Sequence, residues 1–277
     1  DSSTSRGLGD VYKRQDIERL TIPFVGEIPL SYRAKKGFFR RKKEEKAIIV
    51  VKEKSRNVIN EAFRVVRTNL EFMMGKDAHS KVIMVSSLNP GSGKTFITLN
   101  LSTSLAVKSK KVLAIDMDLR RASLSDYIHS PKCGISDYLS GQVPDYSSII
   151  VKGETIAGLD VIPVGTIPPN PTELLFSERF ATLLEQLRME YDYIFIDCPP
   201  VEIVADASII NKYSDLTLFI IRAGLLDRNL LADVEKFHTE RKYGNMSLIL
   251  NGTDGGGNRY GYKYGYHYGY AGYTKEE

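Results

Sequence analysis

A glycine-rich loop between a buried strand and a helix is the feature that most constrains this fold. Residues 81–86 (KVIMVS) form a near-continuous apolar run, which is typical of a parallel strand covered on both faces. The loop 89–95 (NPGSGKT) follows, and a helical pattern then extends over 96–108. This order predicts a parallel sheet, in which ligands bind beyond the carboxyl ends of the strands.

The residues of this loop are those that phosphate binding requires. Backbone N–H groups near Gly91 and Gly93 can surround phosphate oxygens at the start of the helix. Lys94 would then reach the β- and γ-phosphates, and the Thr95 hydroxyl would bind Mg²⁺. Leu88 stands where the strict motif G-x-x-x-x-G-K-[ST] has its first glycine. We predict an ATP and Mg²⁺ site whose nucleotide-binding residues are Pro90, Gly91, Ser92, Gly93, Lys94 and Thr95.

Apolar runs alternate with helical patterns along the rest of the chain. The expected strands are 112–115, 159–164, 193–196, 216–221 and 247–250, and the expected helices begin near Asn57, at Asn170-Pro171 and at Leu230. Alternation of this kind predicts an α/β fold with a doubly wound, mainly parallel sheet flanked by helices, of the P-loop NTPase type.

Aspartates follow two of these strands. Asp116 and Asp118 are two residues apart at a strand end, so their side chains point to the same side. Asp197 ends an apolar strand, the position of a Walker B carboxylate that holds magnesium through water. Aspartates that only cap or form turns are the alternative for the first pair. The candidate catalytic residues are Lys94, Asp116, Asp118 and Asp197, and the candidate metal-binding residues are Thr95, Asp118 and Asp197.

Charge and cysteine content disfavour other classes of protein. The formal net charge is only +4, so bulk electrostatics do not indicate a nucleic-acid partner. Cys133 and Cys198 lie far apart, and neither belongs to a C-x-x-C motif, so neither a zinc site nor a disulfide framework is expected. The sequence has no run of about eighteen apolar residues, the length that spans a membrane.

We divide the chain into four parts. Residues 1–15 have neither apolar periodicity nor a signal-peptide core and are interpreted as a leader foreign to the native protein. Residues 16–56 are expected to be an extended, basic, juxtamembrane-like linker. Its stretch 33–46 (RAKKGFFRRKKEEK) suits anionic headgroups, although an ordinary solvated linker has a similar composition. Residues 57–253 form the predicted catalytic domain, and 254–277 form a tail that is expected to be disordered.

The tail is rich in tyrosine and glycine. Residues 255–273 contain seven of each, with a tyrosine at every second position from 260 to 270. A row of phenols on a chain with an ATP site suggests a tyrosine kinase that carries its own substrate, although a sticky low-complexity segment has the same composition. The candidate phosphorylation sites are Tyr260, Tyr262, Tyr264, Tyr266, Tyr268, Tyr270 and Tyr273.

The motifs and their order resemble those of the bacterial tyrosine kinases (BY-kinases) of capsule and exopolysaccharide synthesis. The resemblance covers roughly residues 20–277. It rests on the loop motif (Walker A), on Asp197 (Walker B) and on the tyrosine tail. Three further motifs are Glu61-x-x-Arg64-x-x-Arg67, Asp116-x-Asp118-x-Arg120 (Walker A′) and Gly165-x-x-Pro168-Pro169-Asn170-Pro171.

The resemblance implies an ATP-dependent protein tyrosine kinase that autophosphorylates its tail in trans and regulates polysaccharide synthesis and export. It implies a ring of copies in contact through Glu61, Arg64 and Arg67, and a solvated helix face is the alternative for that stripe. Asp116 is the candidate base and Asp118 its partner near the metal. Further implied partners are a membrane chain-length regulator region, fused or separate, and a cognate tyrosine phosphatase. The implied location is the cytoplasmic face of the bacterial inner membrane, in a longer membrane protein.

Two other functions are compatible with these motifs. A partition-type ATPase of the Min or Par kind has the same fold and Walker motifs, but such proteins carry an additional lysine early in the loop, where this chain has Asn89. A nucleotide-dependent scaffold for the polysaccharide machinery, with residual phosphoryl transfer, is the third hypothesis.

Overall fold

The computed structural model describes residues 11, 14–30, 49–75, 80–153, 158–201 and 206–254. The basic stretch 33–46 and the seven candidate tail tyrosines lie outside the described residues. Val11, within the predicted leader, is buried, and its backbone exchanges hydrogen bonds of 2.8 Å with Gly224 and Leu226.

The core of the fold is a seven-stranded sheet in which every pair of neighbouring strands is parallel. The strands are β1 (Phe24–Pro29), β2 (Lys81–Ser86), β3 (Val112–Asp116), β4 (Leu159–Ile162), β5 (Tyr193–Asp197), β6 (Leu216–Arg222) and β7 (Met246–Thr253). Their order across the sheet is β1-β7-β6-β2-β5-β3-β4. The predicted α/β class with a parallel, doubly wound sheet is confirmed.

Helices cover both faces of this sheet. They are α1 (Arg14–Ile17), α2 (Val58–Met74), α3 (Lys94–Ala106), α4 (Ile135–Leu139), α5 (Pro171–Leu175), α6 (Glu178–Glu190), α7 (Asp206–Asn211) and α8 (Leu231–Thr239). Short 3₁₀ turns occupy Ser125–Ile128, Tyr146–Ile149 and Arg228–Leu230.

Strand β2 shows how the sheet is covered on both faces. Val82 and Met84 belong to one apolar core, while Ile83 and Val85 belong to the other. Successive side chains of a strand point to opposite faces, so a strand that is buried on both faces is apolar throughout. The phosphate loop therefore begins from a strand that is fixed on both sides.

Strand β1 was expected from the sequence only as an extended segment. It pairs with β7 at the edge of the sheet and packs beneath α2. A side chain at Gly26 would meet Val66 of α2, since an added Cβ would lie 2.8 Å from Val66 Cγ2. Glycine at this position allows the close approach of helix and strand.

The helix predicted to start at Asn170-Pro171 begins at Pro171 but does not continue as one element. It is divided into α5 and α6 at Phe176-Ser177. Ser177 is extended (φ −69°, ψ 141°), and its hydroxyl donates to the Leu174 carbonyl at 2.7 Å. The Ser177 hydroxyl bonds back to α5 and makes no capping hydrogen bond to α6, so it closes the first helix, and its extended backbone separates the two.

Candidate active site

The phosphate loop joins β2 to α3 and contains two glycines with left-handed backbones. Gly91 has φ 77° and Gly93 has φ 91°. At Gly93 an added Cβ would lie 2.2 Å from Asn251 Nδ2, so both the backbone and its surroundings require glycine. Asn251, near the end of β7, donates its own hydrogen bond to the Ser92 carbonyl at 2.9 Å. The loop is therefore fixed from the neighbouring part of the sheet as well as by its own residues.

Within the loop, two hydroxyls converge on one carbonyl. Ser87 Oγ and Ser92 Oγ each donate to the Asn89 oxygen at 2.8 Å. Lys94 Nζ lies 3.4 Å from Ser87 Oγ, so the ammonium group is folded back beneath the loop. Burial lowers the pKa of Lys94, while the nearby Asp197 and Asp118 carboxylates oppose that shift.

Thr95, the second residue of α3, contacts the carboxylate at the end of β5. Its hydroxyl donates to Asp197 Oδ2 at 2.6 Å. The other oxygen, Oδ1, is buried and has no hydrogen-bond partner among the described residues. Burial raises the pKa of Asp197 to about 8, with a further contribution from Asp116. A buried carboxylate oxygen without a donor is unfavourable unless a cation or an ordered water is present.

Asp116 and Asp118 have different surroundings. Asp116 is fully buried at the end of β3, and its Oδ2 accepts from the Ser125 N–H at 2.8 Å and from the Ser125 hydroxyl at 2.7 Å. Burial raises the pKa of Asp116 to about 6, and the bonds from Ser125 oppose the shift. Asp118 is 7% exposed, and its Oδ1 accepts from the Arg121 N–H at 3.2 Å. Asp116 therefore lies at the predicted site and also holds the turn at Ser125 through its hydrogen bonds. Asp118 is the more accessible of the two carboxylates.

Arg120 of the D-x-D-x-R motif is held in an ion pair. Its guanidinium contacts Asp206 Oδ2, and the other oxygen of Asp206 accepts from the Thr172 hydroxyl at 2.7 Å. The ion pair connects the Walker A′ segment to α7. The bond from Thr172 connects α7 to α5, which begins at Pro171, the last residue of the Gly165-to-Pro171 motif. Nothing in the sequence singled out Asp206, because its partners are 34 and 86 residues away along the chain.

Asn251 and Ser125 were also missed by sequence analysis. Asn251 follows an apolar run at a strand end, which is the same signal that identified Asp197. A carboxylate at such a position indicates metal binding or proton transfer, whereas an amide does not indicate any one function. Ser125 lies in a short 3₁₀ turn with no periodic pattern. Both act through hydrogen bonds to site residues, and tertiary contacts of that kind leave no motif.

The donor set fits the predicted nucleotide and magnesium. Thr95 and Asp197 supply oxygen atoms, which Mg²⁺ prefers, and Gly91 and Gly93 leave the loop amides open to phosphate. Within the described part of the chain, no group of three or more His, Cys, Asp or Glu side chains could hold a metal ion by itself.

The side chains of Glu61, Arg64 and Arg67 on α2, which are predicted to contact another copy, have different partners within the chain. Glu61 and Arg64 form an ion pair at 2.5 Å, and their side chains are 51% and 35% exposed. Arg67 instead turns toward α3, where its NH1 donates to the Ser104 carbonyl at 2.9 Å. Arg64 and Arg67 are both partly exposed, and Arg64 NH2 also donates to the Ser55 carbonyl at 3.1 Å, so the contact between copies through these three residues stays a prediction.

The sheet, the loop and the carboxylates define a P-loop nucleotide-binding protein. A model of the AAA domain family matches residues 80–223. The chain is 33% identical over 267 residues to the putative tyrosine-protein kinase AmsA of Erwinia amylovora, covering 90% of this chain and 35% of that protein. The kinase domain of Escherichia coli tyrosine kinase ETK superposes with a TM-score of 0.74 at 30% identity, covering 90% of this chain and 95% of that domain. The chain belongs to the bacterial tyrosine kinase family.

A more distant neighbour shows the fold alone. The septum site-determining protein MinD of Pyrococcus horikoshii, solved with Mg-ADP, matches with a TM-score of 0.51 at 23% identity, covering 62% of this chain and 70% of that protein. The kinase domain covers more of the chain at higher identity, which favours the kinase interpretation over the partition-type ATPase.

Two facts bear on the membrane expectation. The chain spans 35% of the length of the Erwinia relative. Among the described residues, no helix combines the length and the apolar character needed to cross a bilayer.

Proposed function

We propose that this chain is an ATP-dependent protein tyrosine kinase that phosphorylates its C-terminal tyrosine cluster, one copy acting on another. The observation that carries the proposal is the hydrogen bond between Thr95 and Asp197, next to a buried Lys94, at the carboxyl end of the sheet. Family membership supplies the choice of tyrosine as acceptor, since the relatives are named tyrosine-protein kinases.

In this proposal the loop holds the triphosphate. The amides of Gly91 to Lys94 bind phosphate oxygens at the start of α3, and Lys94 contacts the transferred group. Thr95 and Asp197 would hold Mg²⁺, which when bound neutralises charge on the phosphates. Burial of Lys94 and Asp197 strengthens these interactions, because water screens them poorly there.

The remaining requirement is a proton acceptor. A tyrosine phenol has a pKa of about 10 and must lose its proton as its oxygen bonds to the γ-phosphorus and the bond to ADP breaks. Asp116 and Asp118 are the candidate acceptors. Burial raises the pKa of Asp116 to about 6, which makes its carboxylate a stronger base than a free aspartate, and Asp118 lies nearer the surface.

The wider role is part of the same proposal. The kinase would act at the cytoplasmic face of the inner membrane beside a chain-length regulator region, in a ring of copies, and a tyrosine phosphatase would reverse the modification. Support comes from the family resemblance and from relatives such as the Klebsiella pneumoniae protein named a putative tyrosine-protein kinase in cps region.

The test is incubation of the purified protein with Mg²⁺ and ATP, followed by detection with an antibody to phosphotyrosine. A Lys94→Met variant is the matched control, since it keeps the length of the side chain and removes its charge. We expect signal on the tail of the parent protein and none on the variant. A blank parent sample that nevertheless binds and hydrolyses ATP would favour the partition-type ATPase instead.

A further inference from the structure

Arg222, the last residue of β6, lies against the phosphate loop. It is directly opposite Asn251 of β7, the residue whose amide bonds to the loop at Ser92. The NH1 atom of Arg222 is 3.8 Å from the position that a Cβ at Gly93 would occupy. Its Cγ and Nε are 3.7 and 3.8 Å from the corresponding position at Gly252, so the side chain lies between the end of β7 and the loop.

The guanidinium of Arg222 has no acceptor among the described residues. Its side chain forms neither a hydrogen bond nor an ion pair within that part of the chain, although the residue is partly buried. A guanidinium has five donors and no acceptor, and a cation drawn out of water needs a counter-charge. The other arginines without a side-chain partner in the described ranges are all exposed, namely Arg19, Arg56, Arg121 and Arg241. Arg222 therefore presents open donors beside a loop that is built to hold phosphate.

The order of the strands places Arg222 on the far side of the loop from the carboxylates. The loop begins at the end of β2; β5 and β3, which end at Asp197 and Asp116, stand on one side of β2, and β6 and β7 stand on the other. In P-loop proteins Mg²⁺ bridges the β- and γ-phosphates, so an ion held by Thr95 and Asp197 keeps the γ-phosphate on the β5 side. The α-phosphate then extends toward the end of β6, two strand spacings or about 10 Å from β5.

We propose that Arg222 is a further nucleotide-binding residue, whose guanidinium bonds to the α-phosphate of ATP. A planar guanidinium offers paired donors that match two phosphate oxygens. The α-phosphate is not transferred when the γ-phosphoryl group leaves, so the contact has the same strength with ATP and with ADP. Uniform binding of this kind lowers KM without raising kcat. The inference rests on the proposed function only in so far as a nucleotide occupies the loop.

The test measures the affinity of the purified protein, in the presence of Mg²⁺, by displacement of a fluorescent ATP analogue. The competitors are ATP, ADP and inorganic tripolyphosphate, which has three phosphates and no base. For Arg222→Met we expect the affinity for each competitor to fall by about ten- to hundredfold, the range of a charge-assisted hydrogen bond. Arg222→Lys keeps the charge without the paired donors and should recover part of the loss. Arg241→Met removes an equal charge from an exposed residue beyond α8 and should bind all three as the parent protein does.

The pattern across the competitors decides the outcome. A loss for ATP that exceeds the loss for ADP would place the guanidinium on the γ-phosphate, and a loss that spares tripolyphosphate would place it on the base. Either pattern overturns the proposal, as does unchanged affinity for all three.

A purely structural role for Arg222 is tested by melting without nucleotide. The melting temperature of Arg222→Met should be little changed, since the side chain has no partner in the described part of the chain. Weaker binding that only follows a loss of folded protein would contradict the proposal. If Arg222→Met does not fold, Arg222→Lys carries the test, with smaller and equal losses for the three competitors. None of these measurements needs phosphoryl transfer, so they stay decisive if the phosphotyrosine assay fails; where transfer is seen, KM should rise and kcat should be retained.

Discussion

Asp116 and Asp197 are directly opposite each other on the adjacent parallel strands β3 and β5. Both side chains are buried, at 0% and 1% exposure, so two carboxylates share a site that water scarcely reaches. Burial raises the pKa of Asp116 to about 6, with a small contribution from the Asp118 carboxylate, and burial together with the Asp116 carboxylate raises the pKa of Asp197 to about 8. The sheet thus holds acidic groups that are best balanced by a bound cation.

The first prediction concerns the stability of the nucleotide-free protein against pH. Asp197 binds a proton more tightly in the folded chain, where its pKa is about 8, than in the unfolded chain, where its pKa has the ordinary value of 3.8, so the folded state holds more protons between these values. Stability should therefore fall as pH rises from about 4 to 8. An asparagine cannot ionise, so the Asp197→Asn variant should lose part of this dependence of stability on pH. Relative to the parent protein, we expect its free energy of unfolding to be about 1 kcal/mol higher at pH 8 than at pH 5, which corresponds to a melting temperature about 2–4 °C higher.

Melting curves at pH 5, 6, 7 and 8 measure this effect. Glu185→Gln is the matched control, because Glu185 is exposed on α6 and loses the same charge. Addition of Mg²⁺ and ATP should flatten the slope of the parent protein and leave that of Asp197→Asn little changed. A parent protein whose melting temperature rises steadily over this pH range would contradict the prediction.

The second prediction uses two glycines with similar backbones and different surroundings. Gly93 (φ 91°) would place a methyl group 2.2 Å from Asn251 Nδ2, whereas Gly141 (φ 80°) has no atom within 4 Å of an added Cβ. Gly141→Ala should cost about 1–2 kcal/mol, from the left-handed backbone alone. Gly93→Ala should cost more and should abolish nucleotide binding, because the loop must move.

Chemical denaturation and nucleotide titration measure these changes. The double variant Gly93→Ala/Asn251→Ala should recover part of the stability lost in Gly93→Ala, since the clashing amide is removed. Equal losses in the two glycine variants would mean that Asn251 does not constrain the loop.

The phosphate loop also shows how much of this site the sequence predicted. The strand before the loop, the helix after it and the carboxylates at neighbouring strand ends follow from short-range patterns, and the structure brings Thr95 and Asp197 together across 102 residues. Asn251 could not be predicted, because its contact with Ser92 depends on β7 standing beside β6 and β6 beside β2. Strand order of this kind is set by packing rather than by any local motif.

The orientation of Arg67 was unpredictable for a different reason. Its spacing from Glu61 and Arg64 predicts one face of a helix, but the angle at which α3 crosses α2 decides which side chains on that face reach a partner. The division at Ser177 has a local origin: the helical patterns on either side continue in the sequence, and a single serine does not signal a break, but its extended backbone and its bond to Leu174 interrupt the helix.

The third prediction concerns the ion pair between Arg120 and Asp206. The Asp206 carboxylate is 1% exposed and the Arg120 side chain 38%, so loss of the arginine leaves a buried charge with only Thr172 as its donor among the described residues. Arg120→Met should destabilise the fold by about 1–3 kcal/mol, a value below that of a fully buried pair because the guanidinium reaches solvent.

Asp206→Asn in the Arg120→Met background should restore part of that loss, since it removes the unpaired charge. Denaturant midpoints of the two single variants and the double variant give the coupling between these side chains. Strictly additive losses would show that the contact contributes nothing to stability. Arg179→Met, which removes an arginine that packs over the Tyr138 ring at 4.5 Å, controls for the loss of a half-buried guanidinium elsewhere.

The last prediction connects the tail with assembly. Each phosphate adds about 1.5 to 2 negative charges, so full modification of the seven tail tyrosines would add on the order of ten to a tail that begins near neutral. Copies gathered in a ring would then repel one another, and the repulsion would be screened at high salt. Phosphorylated protein should therefore populate smaller assemblies than phosphatase-treated protein at 50 mM salt, and the difference should shrink at 500 mM.

Native mass measurement of both samples provides the comparison. The control is a variant in which all seven tail tyrosines are replaced by phenylalanine, because phosphorylation cannot change its tail. Equal assembly of the two samples at low salt would exclude tail charge as the agent of dissociation.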